Sequence, residues 1–125
     1  MKGTKPILVV DNDPMKKIPS APSWMTSEAK KEWRRIMPAL VERRILTTAD
    51  LGNVENYCVS IGRVRETESQ MQAVNDPEMR LKLFRVQDKA MQTSRLLAAE
   101  LGLTPVSRSR PSIRDESDDD ALLDI

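Results

Sequence analysis

A three-residue break, Asn75-Asp76-Pro77, divides two long stretches of helical periodicity. Asn75 or Asp76 can cap the amides of a following helix. Proline suits the first helical position, where its missing N–H is no loss. Before the break, Leu51, Val54, Cys58, Ile61, Val64 and Met71 recur at helical spacing. After it, Met79, Leu83, Val86, Ala90, Leu97 and Leu101 do the same. The spacing predicts helices over 48–73 and 77–100, each about 35–39 Å long at a rise of about 1.5 Å per residue. Two such helices joined by so short a turn make a long antiparallel hairpin. Thr47-Thr48-Ala49-Asp50 marks the start of the first, a capping box with Asp in place of the longer Glu. Gly62 sits inside that helix at a cost of about 1 kcal/mol relative to Ala. Either the apolar stripe outweighs the cost, or close helix packing needs the missing side chain. Gly102 is placed to cap the end of the second.

A shorter helix precedes the hairpin. Thr26 or Ser27 can cap it, and Glu28 suits the positive end of its dipole. Ala29, Trp33, Ile36 and Leu40 form its apolar stripe, and Pro38 ends it or opens a further short helix through Glu42. Upstream, Pro6, Pro14, Pro19 and Pro22 with scattered lysines read as an extended arm, in which 7–10 could pair as a short strand on a neighbour. Downstream, proline and serine end the helical pattern. The expected organisation is a flexible arm over 1–23, a helical domain over 24–103 with short helices within 26–44 and the hairpin within 48–101, and a disordered tail over 104–125. The fold class is all-α. Leu81, Phe84, Met91 and Leu96 fall off the main stripe of the last helix and would stay exposed on a monomer, which favours an oligomer. The alternative is that the short helix covers them.

Composition excludes much chemistry. No histidine is present, which removes imidazole acid–base catalysis and His-ligated metals. The single cysteine, Cys58, lies on an apolar stripe and reads as a small core residue rather than a nucleophile. Four glycines without a Gly-rich loop argue against a phosphate-binding turn. Asp118-Asp119-Asp120 lie in a tail that does not preorganise a metal site. No catalytic residue, metal or cofactor is expected. No apolar run is long enough to span a membrane, and the expected location is the cytosol with Cys58 reduced.

The net charge of +1 conceals an asymmetry. Residues 1–50 carry ten basic and six acidic side chains, residues 51–100 carry seven of each, and residues 115–125 carry six acidic and no basic ones. Without its last eleven residues the chain would carry +7. Lys30, Lys31, Arg34 and Arg35 are adjacent or one turn apart, a basic strip suited to phosphates. The competing reading is a solvated helix on which they pair with Glu28 and Glu32. Only Trp24, Trp33, Tyr57 and Phe84 are aromatic, too few for stacking on single strands, so duplex backbone contact fits better.

The order Pro22, Trp24, Ala29, Trp33, Leu40, then Ile45-Leu46-Thr47 with Asp50, then Tyr57-Cys58, then Asn75 and Pro77 flanking Asp76, and finally Leu101-Gly102-Leu103-Thr104-Pro105 with Arg108 and Arg110, resembles the P27 family of phage terminase small subunits. The closing segment is its most specific part, and the likeness covers about residues 19–110. The N-terminal arm lacks the Gly-rich form of the family, although Gly3-Thr4-Lys5-Pro6 echoes it. The resemblance implies a non-catalytic subunit of a DNA-packaging motor. Such a subunit assembles as a ring, binds double-stranded viral DNA and recruits or regulates the large ATPase–nuclease subunit in the host cytoplasm. On that reading Lys2, Lys5, Lys16, Lys17, Lys30, Lys31, Arg34 and Arg35 contact DNA. The tail, through Asp118, Asp119, Asp120, Leu122, Leu123 and Ile125, docks on the large subunit. A small helical DNA-binding transcriptional regulator is the alternative, although no helix offers a clear set of base-reading side chains. A helical adaptor that binds no nucleic acid is a third.

Overall fold

Thr26 stops the chain in an extended conformation, and its hydroxyl accepts from the amide of Ala29 at 3.4 Å, starting helix α1, Ser27–Glu42. In the computed structural model, which describes residues 14–44 and 46–105, α1 is followed by a 3-10 turn, Thr48–Asp50, and by two long helices, α2 (Leu51–Ala73) and α3 (Pro77–Glu100). The described residues are all helix and connection, with no strand. Pro38 neither ends α1 nor opens a second helix; it sits within the continuous helix on the exposed side. Its lost backbone bond is outweighed by the stripe around it, for Ile36, Met37, Leu40 and Val41 are all buried. Arg44, just past the end, takes the left-handed conformation at φ 59° and returns its amide to the carbonyl of Val41.

The entry to α2 follows the capping expectation despite the short acid. The Asp50 carboxylate accepts from the Thr47 amide at 2.8 Å and from its hydroxyl at 3.1 Å. The tight 3-10 turn, with the Asp50 amide returning to the Thr47 carbonyl, brings the shorter side chain within reach. At the far end of α2, Asp76 accepts from the amide of Glu78, and Pro77 occupies the first turn of α3. Gly102 closes α3 at φ 74°, with its amide on Ala99 and that of Leu103 on Ala98. This double return is the Schellman arrangement, and it turns Leu101 and Leu103 back onto the core.

The core lies at one end of the molecule. Met25, Ala29, Trp33, Ile36, Met37 and Leu40 of α1 and its entry meet Val54, Tyr57 and Cys58 of α2, with Leu46 and Leu101 closing the sides. Met15 and Ala21, from the arm, pack against the same cluster. The Met15 amide donates to the carbonyl of Leu46 at 2.7 Å, and Trp33 Nε1 donates to the carbonyl of Pro19 at 2.8 Å, so residues 15–21 are pinned along α1. The arm before residue 14, including 7–10, lies outside the described residues.

The distal half of α2 and α3 is built differently. Gln87 of α3 donates to the carbonyl of Val64 at 3.2 Å and to the Glu68 carboxylate at 2.9 Å on α2. Thr67 there, and Ser60 and Ser94 nearer the core, are buried and return their hydroxyls to carbonyls of their own helices. Near the core end, Asn56 and Val59 share a groove with Leu97 and Glu100. The stripe expected to bury α3 holds at Ala90 and Leu101 but not at Met79 or Val86, both exposed. Polar side chains take the interhelical positions there, and α1 covers only the core end. Leu81, Phe84, Met91 and Leu96 stand exposed, as the spacing implied.

Gly62 is explained by packing. A Cβ on it would stand 3.0 Å from the Ala29 backbone nitrogen and 3.3 Å from its Cα and Cβ. Helix α1 therefore rests directly on the backbone of α2. Gly52, in the first turn of α2, has nothing within 4 Å of the same added atom. Two Gly-to-Ala substitutions in one helix should thus act in opposite directions. Gly52→Ala should gain up to about 1 kcal/mol by helix propensity. Gly62→Ala should lose stability, because α1 must shift. Urea unfolding of the two variants measures both signs.

Candidate nucleic-acid interface

A fully buried carboxylate organises the basic face. Glu32 lies one turn from Ala29 and from Ile36, so it falls on the apolar stripe of α1 rather than on the solvated side, and its exposure is 0%. Arg35, on the next turn, donates to both carboxylate oxygens at 2.9 and 2.5 Å. From α2, the Tyr57 hydroxyl donates at 2.7 Å and Arg65 at 2.7 Å. Arg65 also approaches Glu28 at 3.9 Å, and Lys31 pairs with Glu28 at 3.2 Å. Of the four bonds that Glu32 accepts, the two from Tyr57 and Arg65 tie the polar edge of α1 to α2, and no buried side-chain nitrogen or oxygen among the described residues is left without a partner.

Burial alone would raise the Glu32 carboxyl. The bonds from Arg35, Tyr57 and Arg65 more than offset it and hold the group down at about 2, against an ordinary value of 4.5. The same neighbourhood raises the Tyr57 hydroxyl, first by burial and then by Glu32. Burial also pushes the Cys58 thiol up to about 12, so Cys58 is a neutral core residue.

The strip of four cations therefore divides. Lys31 and Arg35 each have a carboxylate partner, although about two-thirds of each side chain stays in solvent. Lys30 and Arg34 have no ion pair with a described residue. They line an open groove with Ile18 to Ala21 of the arm. Lys16 and Lys17 are exposed immediately before that stretch. Thus Lys30 and Arg34 share one groove with the arm, and Lys16 and Lys17 lie on the arm just before it. Lys2 and Lys5, and the tail residues Asp118, Asp119, Asp120, Leu122, Leu123 and Ile125, lie outside the described residues.

The competing reading paired the strip with Glu28 and Glu32 and is right about the Arg35 and Lys31 partners but not about the exposure of Glu32, and Arg65 was passed over. The position of Glu32 on the wheel, between Ala29 and Ile36, carried the signal. Nothing local marked Arg65, because its partner is 33 residues away. Arg43 was likewise missed. Its guanidinium donates to the carbonyl of Gly102 at 2.6 Å and joins the end of α1 to the cap of α3. Among the described residues no group of three or more acidic, His or Cys side chains could hold a metal, and no helix is long and apolar enough to cross a membrane.

The Glu32 network makes stability depend on pH in a defined window. The folded carboxyl titrates below the unfolded one, so its contribution is complete above about pH 4.5 and is lost as pH falls towards about 2. Glu32→Gln should remove that acid-side dependence and cost about 2–3 kcal/mol at neutral pH, since charge-assisted bonds are lost in a buried position. Thermal unfolding of both proteins between pH 7 and pH 2 checks this: the difference in melting temperature should shrink as the pH drops.

Residues 29–118 match the family model described as phage terminase, small subunit. No curated protein and no solved structure gives a significant match. The matched span begins at the residue of α1 that rests on Gly62, takes in the basic strip and both long helices, and continues past the Gly102 cap. It covers well over half of the 125 residues, and the chain belongs to the phage terminase small-subunit family.

Proposed function

We propose that this protein is the DNA-binding component of a packaging motor, a small subunit of the P27 type without catalytic activity of its own. In this reading it binds double-stranded viral DNA in the host cytoplasm and recruits or regulates the large ATPase–nuclease subunit. The observation that carries the reading is the collection of exposed cations along α1 and the arm, in a chain of this family. Lys16, Lys17, Lys30, Lys31, Arg34 and Arg35 supply the contact surface, with Lys2 and Lys5 extending it. Each cation gains little alone, and repetition around an assembly converts weak phosphate contacts into avidity.

Assembly falls to the long helices. The Gln87 bonds to Val64 and Glu68, and the grouping of Leu97 and Glu100 with Asn56 and Val59, support an antiparallel hairpin. Leu81, Phe84 and Met91 lie at spacings of three and seven, so one flank of α3 carries exposed apolar surface. Hairpins packed side by side by head-to-tail contacts would cover that flank, and such contacts close into a ring when the rotation per subunit permits. The acidic tail, with Asp118 to Asp120 and Leu122, Leu123 and Ile125, serves as the docking peptide for the large subunit.

Native mass spectrometry with and without duplex DNA tests the assembly. A closed oligomer that takes up DNA is expected, and Phe84→Glu with Met91→Glu should reduce it to monomer while circular dichroism stays unchanged. A monomer or dimer with tight sequence-specific binding would favour a transcriptional regulator instead. Ending the chain at Arg110 should abolish co-purification with the large subunit and leave DNA binding intact; retained co-purification would place docking elsewhere.

A further inference from the structure

The arm and α1 enclose a groove of about 430 Å³ lined by Ile18 to Ala21 on one side and by Lys30, Trp33, Arg34 and Pro38 on the other. Its two cations are one helical turn apart, about 6 Å along the axis. Neither has an ion pair with a described residue, whereas their neighbours in sequence, Lys31 and Arg35, are joined to Glu28 and Glu32. The groove is held open before any ligand arrives, because Trp33 Nε1 fixes the arm through the Pro19 carbonyl and the Met15 amide fixes it again through Leu46. Indole and proline rings line the walls. A concave site partly closed from bulk water strengthens the attraction of its cations for an anion. Ser20 adds a hydroxyl donor at the rim, and Lys16 and Lys17 precede it on the exposed side.

We propose that this groove is a preformed seat for a backbone phosphate of duplex DNA, with Lys30 and Arg34 as the residues that bind it. The inference rests on the DNA-binding reading above and sharpens it. Of the four cations of the strip, Lys30 and Arg34 hold phosphate, while Lys31 and Arg35 chiefly hold the helix in place through their carboxylates. A lysine point charge and an arginine fork one turn apart can take different oxygens of one phosphate or of two successive ones.

Two double variants of the full chain remove the same charge: Lys30→Gln with Arg34→Gln, and Lys31→Gln with Arg35→Gln. Duplex DNA of mixed sequence is titrated against each by fluorescence anisotropy over a salt series. The first pair should weaken binding about tenfold or more and lower the salt slope by about two, with an unchanged melting temperature. The second should weaken binding by less than about threefold and lower the melting temperature. Equal loss in both pairs, or greater loss in the second, overturns the seat while leaving DNA binding standing. Failure of the unaltered protein to bind duplex DNA overturns both readings. In a Trp24→Phe background Trp33 is the sole tryptophan and reports from the groove wall. Its emission should respond to duplex DNA and not to inorganic phosphate at the same ionic strength. A response to inorganic phosphate alone reassigns the groove to a free anion.

Discussion

The carboxylate of Glu32 is the contact on which the arrangement of α1 depends. A single buried charge has to be matched on every side, and here the matching groups come from two helices. Arg35 comes from the same helix, and Tyr57 and Arg65 come from α2. Hydrophobic contact alone would allow α1 to slide or roll along α2. Bonds to one carboxylate do not, because each donor has a direction as well as a distance. The Ala29–Gly62 contact, one turn away, sets the depth at which the helix lies, and Glu32 sets its rotation. Together they determine which residues of α1 face outward, and so where the cations stand.

That arrangement also gives two adjacent pairs of cations different work. Lys31 and Arg35 lean towards the acids that anchor the helix. Lys30 and Arg34 face away, towards the arm. A helix with four basic residues in six positions would ordinarily be hard to fix against a neighbour, since like charges repel. Here two carboxylates absorb two of them on the packing edge, and the remaining two meet solvent beside a groove.

The sequence was most informative where the chain makes local decisions. Asp76-Pro77 and Gly102 marked the ends of α3, and Thr47 with Asp50 marked the entry to α2, because caps act over three or four residues. Phe84 and Met91 were recognisable as surplus apolar surface from spacing alone. What escaped was everything set by distant partners. Glu32 looked like a surface acid because its partners Tyr57 and Arg65 belong to another helix. Pro38 read as the end of the helix or the opening of another, yet Leu40 already carried the stripe past it, and burial of that stripe keeps the helix continuous. Met79 and Val86 matched an apolar period, yet α1 does not extend far enough to cover them. The basic strip was legible as a group, and the division of its residues into those with and those without a carboxylate partner required the fold.

The cap at Gly102 has a consequence beyond α3. Leu101 and Leu103 are folded into the core, and Arg43 clasps the Gly102 carbonyl from the end of α1. The chain therefore departs from the core end of the molecule and not from the turn at Asn75. One glycine thus serves two junctions, since its positive φ forms the cap and its carbonyl receives Arg43, and a side chain at that position would strain both together.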